Sequence, residues 1–244
     1  VAIIESNAVP LMLAGLTDPS VEVRGCIFEG LEHCTRTAEG VNAVVAAGAV
    51  KAFVTNVTGE SDALKPTVLK AISQCAKTAD GLVHCLETGA VDTCVSLLAS
   101  EAESVASQAA ATLCFLCFSE DAKKQALEAG AIAVLVGLLS IHHRALRLAV
   151  TSALMAITST DEGKLQMQPC EGGLAVANLL HEKDSVLKLN CLKVLANIAV
   201  NPAIRAQLVA DGECCAAIER ISSCGDARLE KHAKFALDAV RWRP

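Results

Sequence analysis

The sequence predicts an all-α protein that consists of about six repeats, each with three helices. Three observations support this prediction: a glycine-containing motif that recurs at a constant step, a second motif that keeps the same step, and apolar residues at helical spacing between them. A period of about 41 residues with helical content is typical of arrays in which each repeat buries its apolar face against its neighbours. The chain contains no β-branched run with the alternation of a strand, so we expect no sheet.

The repeat period is defined by two landmarks. The first is a glycine followed by two apolar residues, at Gly48-Ala49-Val50, Gly89-Ala90-Val91 and Gly130-Ala131-Ile132, with Asn7, Gly172 and Gly212 near the same step on either side. The second is an acidic residue followed by a small one, at Glu39-Gly40, Asp80-Gly81, Asp121-Ala122 and Glu162-Gly163, with Pro202-Ala203 one step further. Together they predict repeat junctions near residues 7, 48, 89, 130, 172 and 212.

Within each repeat the pattern predicts a short first helix, a second helix and a longer third helix. One first helix covers 123–129 and ends at a glycine, the residue that most readily adopts a positive φ at a helix end. The second helix of that repeat covers 131–139, and the third carries an apolar stripe from Leu146 to Ile157. Equivalent positions of the third helices are expected in the core: Leu31, Ile72, Leu113, Leu154 and Leu195.

We interpret residues 1–244 as a single right-handed superhelical solenoid, because no linker or low-complexity tract divides the chain. Residues 212–244 depart from the regular pattern, and we expect them to form a capping repeat. The chain begins at Val1, without Met, inside a pattern typical of a helix end. We therefore expect a further segment to precede it.

The composition narrows the class of function. The chain carries a net charge of −6 without a basic stripe, so we expect no nucleic-acid partner. Aromatic residues make up 2 %, which is low for a pocket that binds a small-molecule substrate. There is no apolar run long enough to cross a membrane, so we expect no membrane partner. Most of the 12 cysteines lie in apolar helical patterns, which predicts buried free thiols and a reducing compartment.

No motif in the sequence predicts catalysis, a cofactor or a metal ion. Cys114 and Cys117 form a single pair, whereas a zinc site needs four ligands, so we interpret them as packed core residues. The six histidines show no metal-binding spacing, and neither a nucleophile motif nor a phosphate-binding loop occurs. We expect no enzyme activity and no catalytic, cofactor-binding or metal-binding residues.

The junction motif and the additional short first helix resemble the armadillo-repeat family more than the HEAT family, over the chain from Val1 to about Ile221. This resemblance implies that the third helices line a concave groove that contacts other proteins. In members of the family that hold an extended peptide, an Asn recurs near the end of the third helix. In some of them a Trp lies four residues before that Asn.

The sequence retains this Asn motif once, in Ala196-Asn197-Ile198. Successive steps of one repeat period back from Asn197 lead to Ala156, Phe115, Gln74 and His33, and the positions four residues earlier hold Lys193, Ser152, Ala111, Lys70 and Glu29. Because the Asn series is broken and the Trp is absent, we expect no groove of the nuclear-import type. The candidate protein-binding groove is mixed in charge and consists of Glu29, His33, Lys70, Gln74, Phe115, Lys193 and Asn197. Phe115 either contacts a partner or lies in the core.

A narrower resemblance involves the segment 153–164, which runs from Ala153-Leu154-Met155 to Glu162-Gly163-Lys164. This segment is similar to the end of a third helix in the radial spoke protein 14 family, which consists of armadillo proteins of the ciliary axoneme. The similarity continues through Leu179-Leu180-His181, through 188–199, and through the C-terminus from Phe235 to Trp242-Arg243-Pro244. It implies a structural role among radial spoke subunits in the axoneme of a cilium or flagellum, without a cofactor.

Three functions from different classes therefore remain. The first is a structural scaffold of the axoneme, which the narrower resemblance implies. The second is a soluble cytoplasmic adaptor that binds an extended peptide in its groove, which Asn197 and the fold imply. The third, an enzyme or metal protein, depends only on scattered Cys and His residues.

Overall fold

The computed structural model describes residues 8–242, so the predicted junction near residue 7 lies outside the described residues, as do Arg243 and Pro244. Within residues 8–242, all regular structure is helical and comprises seventeen α-helices and two short 3-10 helices. The chain divides into two compact units, Val1–Gln125 and Ala126–Pro244. The prediction of a single solenoid over 1–244 stays a prediction.

The first unit contains three repeats. Its helices are α1 (Val9–Ala14), a 3-10 turn (Gly15–Thr17), α2 (Val21–Cys34), α3 (Ala38–Ala46), α4 (Ala49–Val57), α5 (Lys65–Cys75), α6 (Ala79–Glu87), α7 (Ala90–Leu97) and α8 (Glu103–Leu116), and α9 (Glu120–Glu128) crosses the boundary. The third helices are α2, α5 and α8, and each packs on the next. In each repeat the second helix packs on the third.

The second unit repeats this arrangement. Its helices are α10 (Ala131–Leu138), α11 (Arg144–Ile157), α12 (Asp161–Gln166), α13 (Gly172–Asn178), a 3-10 turn (Leu179–His181), α14 (Ser185–Ile198), α15 (Pro202–Asp211), α16 (Glu213–Ile221) and α17 (Ala227–Arg241). The third helices are α11, α14 and α17, and they pack in that order. The described residues thus contain six third helices, which agrees with the predicted number of repeats.

The glycines of the first landmark begin the second helices. Gly48, Gly89 and Gly130 have φ angles of 75°, 78° and 72°, in the left-handed region where a residue without Cβ is least strained. At the junction near residue 172 the positive φ, 52°, falls on Glu171, and Gly172 is already the first residue of α13. At this step the positive φ therefore falls on the residue before the glycine of the landmark.

The glycines of the second landmark lie where a first helix starts close to the end of the preceding third helix. A Cβ built on Gly40, Gly81 or Gly163 would lie 1.8, 2.1 or 2.3 Å from the carbonyl oxygen of Cys34, Cys75 or Ile157, respectively. In addition, the N–H of each glycine donates to the hydroxyl of the threonine that caps the helix: Thr37, Thr78 and Thr160. At these three glycines the start of the first helix therefore lies so close to the end of the preceding third helix that there is no room for a side chain.

The core of both units consists mainly of aliphatic side chains and cysteines, with Phe28 and Phe53 in the first unit. The five positions predicted from the period, Leu31, Ile72, Leu113, Leu154 and Leu195, are all 0 % exposed, which confirms the predicted register. Cysteines fill comparable positions: burial raises the pKa of their thiols to about 12 at Cys75, Cys85, Cys117 and Cys191. Cys117 is thus packed in the core, while Cys114 is half-buried. All twelve cysteines are free thiols.

Polar contacts between successive third helices supplement this packing. In the first unit, the buried hydroxyl of Thr112 on α8 donates to the carbonyl of Leu69 on α5, at 3.0 Å. In the second unit, the amide of the buried Asn190 on α14 donates to the hydroxyls of Thr151 and Ser152 on α11, at 3.3 and 3.0 Å. Because these groups are buried and paired, they fix the positions of the third helices relative to one another within each unit.

Candidate functional site

In the first unit the predicted groove residues come from three adjacent third helices. Glu29 and His33 lie on α2, Lys70 and Gln74 on α5, and Phe115 on α8. Glu29, His33 and Lys70 are exposed, whereas Gln74 and Phe115 are half-buried. We call these five residues, together with their neighbours, the α2–α5–α8 surface. The neighbours are Glu32, Arg36, Lys77 and Phe118.

A buried carboxylate organises one end of the α2–α5–α8 surface. Glu32 is 3 % exposed, and its oxygens accept hydrogen bonds from Arg36 at 2.8 Å and pair with the ammonium of Lys70 at 2.9 Å. Burial alone would raise the pKa of Glu32, but the hydrogen bonds from Arg36 and Lys70 outweigh it and hold the pKa below 4.5. The imidazole of His33 lies 3.9 Å from the same carboxylate. Lys70 is therefore held against α2 and does not extend freely into solvent.

The other end of the α2–α5–α8 surface is aromatic. The rings of Phe115 and Phe118 lie 6.2 Å apart in a tilted arrangement, and Phe118 is 74 % exposed. The ammonium of Lys77 lies 4.8 Å from the centre of the Phe115 ring and donates to the side-chain oxygen of Gln74 at 2.8 Å. Phe115 is thus neither fully exposed nor in the core, and it belongs to a larger aromatic and basic area.

In the second unit the predicted residues Lys193 and Asn197 lie on α14 and are half-buried, as are Ser152 and Ala156 on α11. The amide nitrogen of Asn197 donates to the carbonyl of Met155 at 3.4 Å and to the hydroxyl of Thr158 at 3.3 Å. Its amide nitrogen therefore bonds within the unit. The side chain braces α14 against α11.

Lys193 lies within a cluster of cations. The pKa of His232 on α17 is lowered, first by burial and then by the charges of Lys193, Lys231 and Arg228. The predicted groove residues thus form two groups, one in each unit, and both are bordered by cations. The structure brings together Glu29, His33, Lys70, Gln74 and Phe115 in the first unit and Lys193 and Asn197 in the second.

Four residues of the α2–α5–α8 surface were not predicted: Glu32, Arg36, Lys77 and Phe118. A signal for Glu32 exists, since it stands beside Leu31 on the apolar face of α2, where an acid requires a partner. Phe118 lies three residues after Phe115, beyond the end of α8, so helical spacing could also have drawn attention to this pair. No local pattern links Lys77 to Phe115, because the two residues belong to different repeats.

We expect the free energy of unfolding to fall as the pH drops below 4.5, the ordinary pKa of a glutamate. A carboxylate whose pKa is lower in the folded state stabilises the protein above its unfolded pKa and loses that contribution as the pH falls through the folded value. Glu32→Gln should therefore show a smaller loss between about pH 5 and pH 3 than the unaltered chain. Urea unfolding at a series of pH values measures this difference.

The matched control for this prediction is Glu29→Gln. Glu29 lies on the same helix but is exposed, so its substitution should leave the acid dependence almost unchanged. Equal acid dependence in the two variants would contradict the stabilising role given to the Glu32 carboxylate.

The described residues show no other arrangement that indicates chemistry. Within residues 8–242, no three His, Cys, Asp or Glu side chains are grouped so that they could hold a metal ion. In the same part of the chain, no single helix is long and apolar enough to span a membrane. Helices α3 and α4 together have sufficient length and apolar composition, but the pair is bent by 79°.

Comparison with solved structures identifies the architecture. A designed armadillo repeat protein superposes with a TM-score of 0.86 at 22 % identity, over 96 % of this chain and 100 % of that one. Computationally designed armadillo repeat proteins for modular peptide recognition give 0.86 at 22 %, over 95 % and 99 %. A designed armadillo repeat protein in complex with the peptide (KR)4 gives 0.85 at 22 %, over 96 % and 99 %. No family model matches the sequence, and no curated protein matches it.

These structures agree with the chain over nearly its whole length, although the identity stays below one quarter. Such a likeness establishes the arrangement of helices and no finer property. The predicted fold class is confirmed: the chain has the all-α armadillo-repeat fold, which consists of three-helix repeats.

Proposed function

We propose that this chain is a non-enzymatic scaffold that binds a folded or helical protein partner through the α2–α5–α8 surface. The observation that carries the proposal is the half-exposed Phe115 with the exposed Phe118 beside it and the Lys77 cation over its ring. Exposed aromatic side chains that are bordered by polar groups are typical of the residues that dominate interface energies.

The contacts of Asn197 favour a folded partner over an extended peptide. An extended peptide in an armadillo groove needs side-chain amides that are free to bond its backbone. In this chain the N–H groups of Asn197 donate to Met155 and Thr158, and the other positions of that series in the described residues hold no Asn. The third helices that the structure describes therefore offer apolar and charged contacts to a partner, but no series of Asn side chains that could bond to a peptide backbone.

The resemblance of residues 153–164 and of the C-terminus to the radial spoke protein 14 family supports a more specific proposal. In this proposal the scaffold is a component of the radial spoke, its partners are other radial spoke subunits, and its location is the axoneme of a cilium or flagellum. Fractionation of cilia tests the location. The chain should remain with the axoneme after detergent extraction and dissociate only at high salt, whereas release by detergent alone would refute it.

A soluble adaptor that binds an extended peptide is the second candidate. It is favoured by one observation, the similarity to a designed armadillo protein that is in complex with the peptide (KR)4. The α2–α5–α8 surface carries the three cations Arg36, Lys70 and Lys77, and of its two carboxylates Glu32 is buried and only Glu29 is exposed. A basic peptide would meet these cations, so a peptide of that composition fits this surface poorly.

Phe115→Ala is expected to reduce incorporation of the tagged chain into detergent-extracted axonemes by at least about tenfold, the effect of losing one interface hot spot. Asn197→Ala should reduce it far less, because that amide bonds inside the second unit. The fraction of the chain that sediments with the axonemes measures both effects.

Circular dichroism should show that both variants are folded, since Phe115 and Asn197 are only half-buried. Val83→Ala serves as a control at another exposed apolar residue of the first unit, and it should incorporate normally. If Asn197→Ala abolished incorporation while Phe115→Ala had no effect, the adaptor that binds an extended peptide would be the better proposal.

A further inference from the structure

Three exposed apolar side chains of the second unit line one cleft near the end of α17. Phe235 and Trp242 are 65 % and 56 % exposed, and Val200, in the turn before α15, is 63 % exposed. With Arg205 and Asp238, these side chains line an open cleft of about 500 Å³, which we call the C-terminal cleft. Large apolar side chains that cluster on a surface mark sites of contact with another molecule.

The charge around the C-terminal cleft is mainly positive, although the chain as a whole carries a net charge of −6. The guanidinium of Arg205 lies 4.9 Å from the centre of the Trp242 ring, and Asp238 is the acidic residue of the lining. Lys231 and Lys234 are exposed on α17 and flank Phe235. A partner that combines an apolar stripe with carboxylates would therefore match both the shape and the charge of this cleft.

The shape of the C-terminal cleft favours a helical partner. Phe235 and Trp242 are seven residues apart, which corresponds to about 10 Å along a helix axis. This distance matches the spacing of anchor residues on an amphipathic helix that binds in a groove. Trp242 also borders a second open cleft, of about 760 Å³, lined by Pro202, Val209 and Val240 among others. The indole ring thus stands between two concave areas.

We propose that the C-terminal cleft binds an amphipathic helix of another protein. Its apolar side chains enter between Val200, Phe235 and Trp242, and its flanking Asp and Glu side chains face Arg205, Lys231 and Lys234. A second copy of this chain would bring like charges together at the cleft, and a bilayer is too flat to fill it. The proposal does not depend on the α2–α5–α8 surface, which belongs to the first unit.

Fluorescence of the folded chain tests this proposal directly, because Trp242 is the only tryptophan. The probe is a synthetic peptide of about 20 residues, without tryptophan, that carries Leu at helical spacing and Glu elsewhere. The control peptide has Lys in place of every Glu. The acidic peptide should shift the Trp242 emission to shorter wavelength in a saturable manner, with an affinity that falls as salt is added. The basic peptide should give no saturable shift.

Two variants locate the binding. Phe235→Ser and Lys234→Glu change exposed residues and should each weaken the binding of the acidic peptide by at least about tenfold. Phe118→Ser replaces a phenylalanine of the first unit that is also mostly exposed, and it should leave the affinity unchanged. The two proposals can fail independently. Substitution at Phe115 tests the α2–α5–α8 surface, whereas Phe235→Ser and Lys234→Glu test the C-terminal cleft.

Three results would overturn the proposal. The first is an equal response to the acidic and basic peptides, which would show that charge plays no part. The second is a blue shift that depends on protein concentration without any peptide, which would identify a second copy as the occupant. The third is a shift with vesicles of phosphatidylserine and phosphatidylcholine but not with the acidic peptide, which would identify a membrane surface.

Discussion

Leu154→Ala is expected to lower the free energy of unfolding by about 2–5 kcal/mol. Leu154 is 0 % exposed on α11, at one of the core positions that recur in every third helix. The substitution removes apolar contacts and leaves a cavity, and both effects destabilise the folded state. Urea unfolding followed by circular dichroism measures the change, with the transition assigned to the second unit by hydrogen exchange.

Leu165→Ala is the matched control for Leu154→Ala. Leu165 is a leucine of the neighbouring helix α12 but is 56 % exposed, so its truncation should change the free energy of unfolding by less than about 0.5 kcal/mol. A loss below about 1 kcal/mol for Leu154→Ala would contradict the register of the repeats, because the residue would then not be a full core position.

Gly81→Ala is expected to destabilise the first unit by about 1–3 kcal/mol, although alanine is the better helix former. A Cβ at this position would lie 2.1 Å from the carbonyl oxygen of Cys75 and 2.8 Å from the hydroxyl of Thr78. Because the first of these atoms belongs to the backbone, the end of α5 and the start of α6 must move apart. Ala122 occupies the equivalent position in the next repeat, so the separation is possible when the surrounding residues are adapted to it.

Gly137→Ala provides a control of opposite sign. Gly137 lies in α10, and a Cβ there would meet no heavy atom within 4 Å. The substitution should therefore stabilise the chain by about 0.5–1 kcal/mol, through the lower backbone entropy of alanine in the unfolded state. If both substitutions stabilised the protein, the close approach at Gly81 would not be a real constraint. Thermal and urea unfolding of the two variants decide between these results.

The sequence predicts the fold well because most repeats carry the same pattern of glycines and apolar residues. The period places the third helices and their buried leucines, and the glycines of the first landmark mark the starts of second helices. The period fails locally where the junctions at Gly172 and Gly212 depart from the constant step, so the positive φ at Glu171 was not foreseen. Likewise, the second landmark is visible in the sequence as a pattern, but its cause is visible only in the structure. At the glycines of this landmark there is no room for a Cβ atom beside the end of the preceding third helix.

The candidate site could be predicted only in part. Steps of one repeat period correctly lead to residues on adjacent third helices, such as His33, Gln74 and Phe115. They give no distances between side chains of different repeats, so the pairing of Glu32 with Lys70 and the position of Lys77 over Phe115 were not predicted. For the same reason, the sequence gives no indication that the Asn197 amide bonds to Met155 and Thr158.

The buried thiols have a consequence for the chemical durability of the protein. At pH 7, a thiol whose pKa is about 12 is ionised in only about one molecule in a hundred thousand, so Cys75, Cys85 and Cys191 are nearly inert towards alkylating agents and peroxide while the fold persists. The exposed thiols are Cys26 on α2 and Cys224 before α17, one in each unit. We therefore expect air oxidation of the folded protein to begin at these two residues, with disulfide-linked multimers as the product, before the buried thiols of each repeat react.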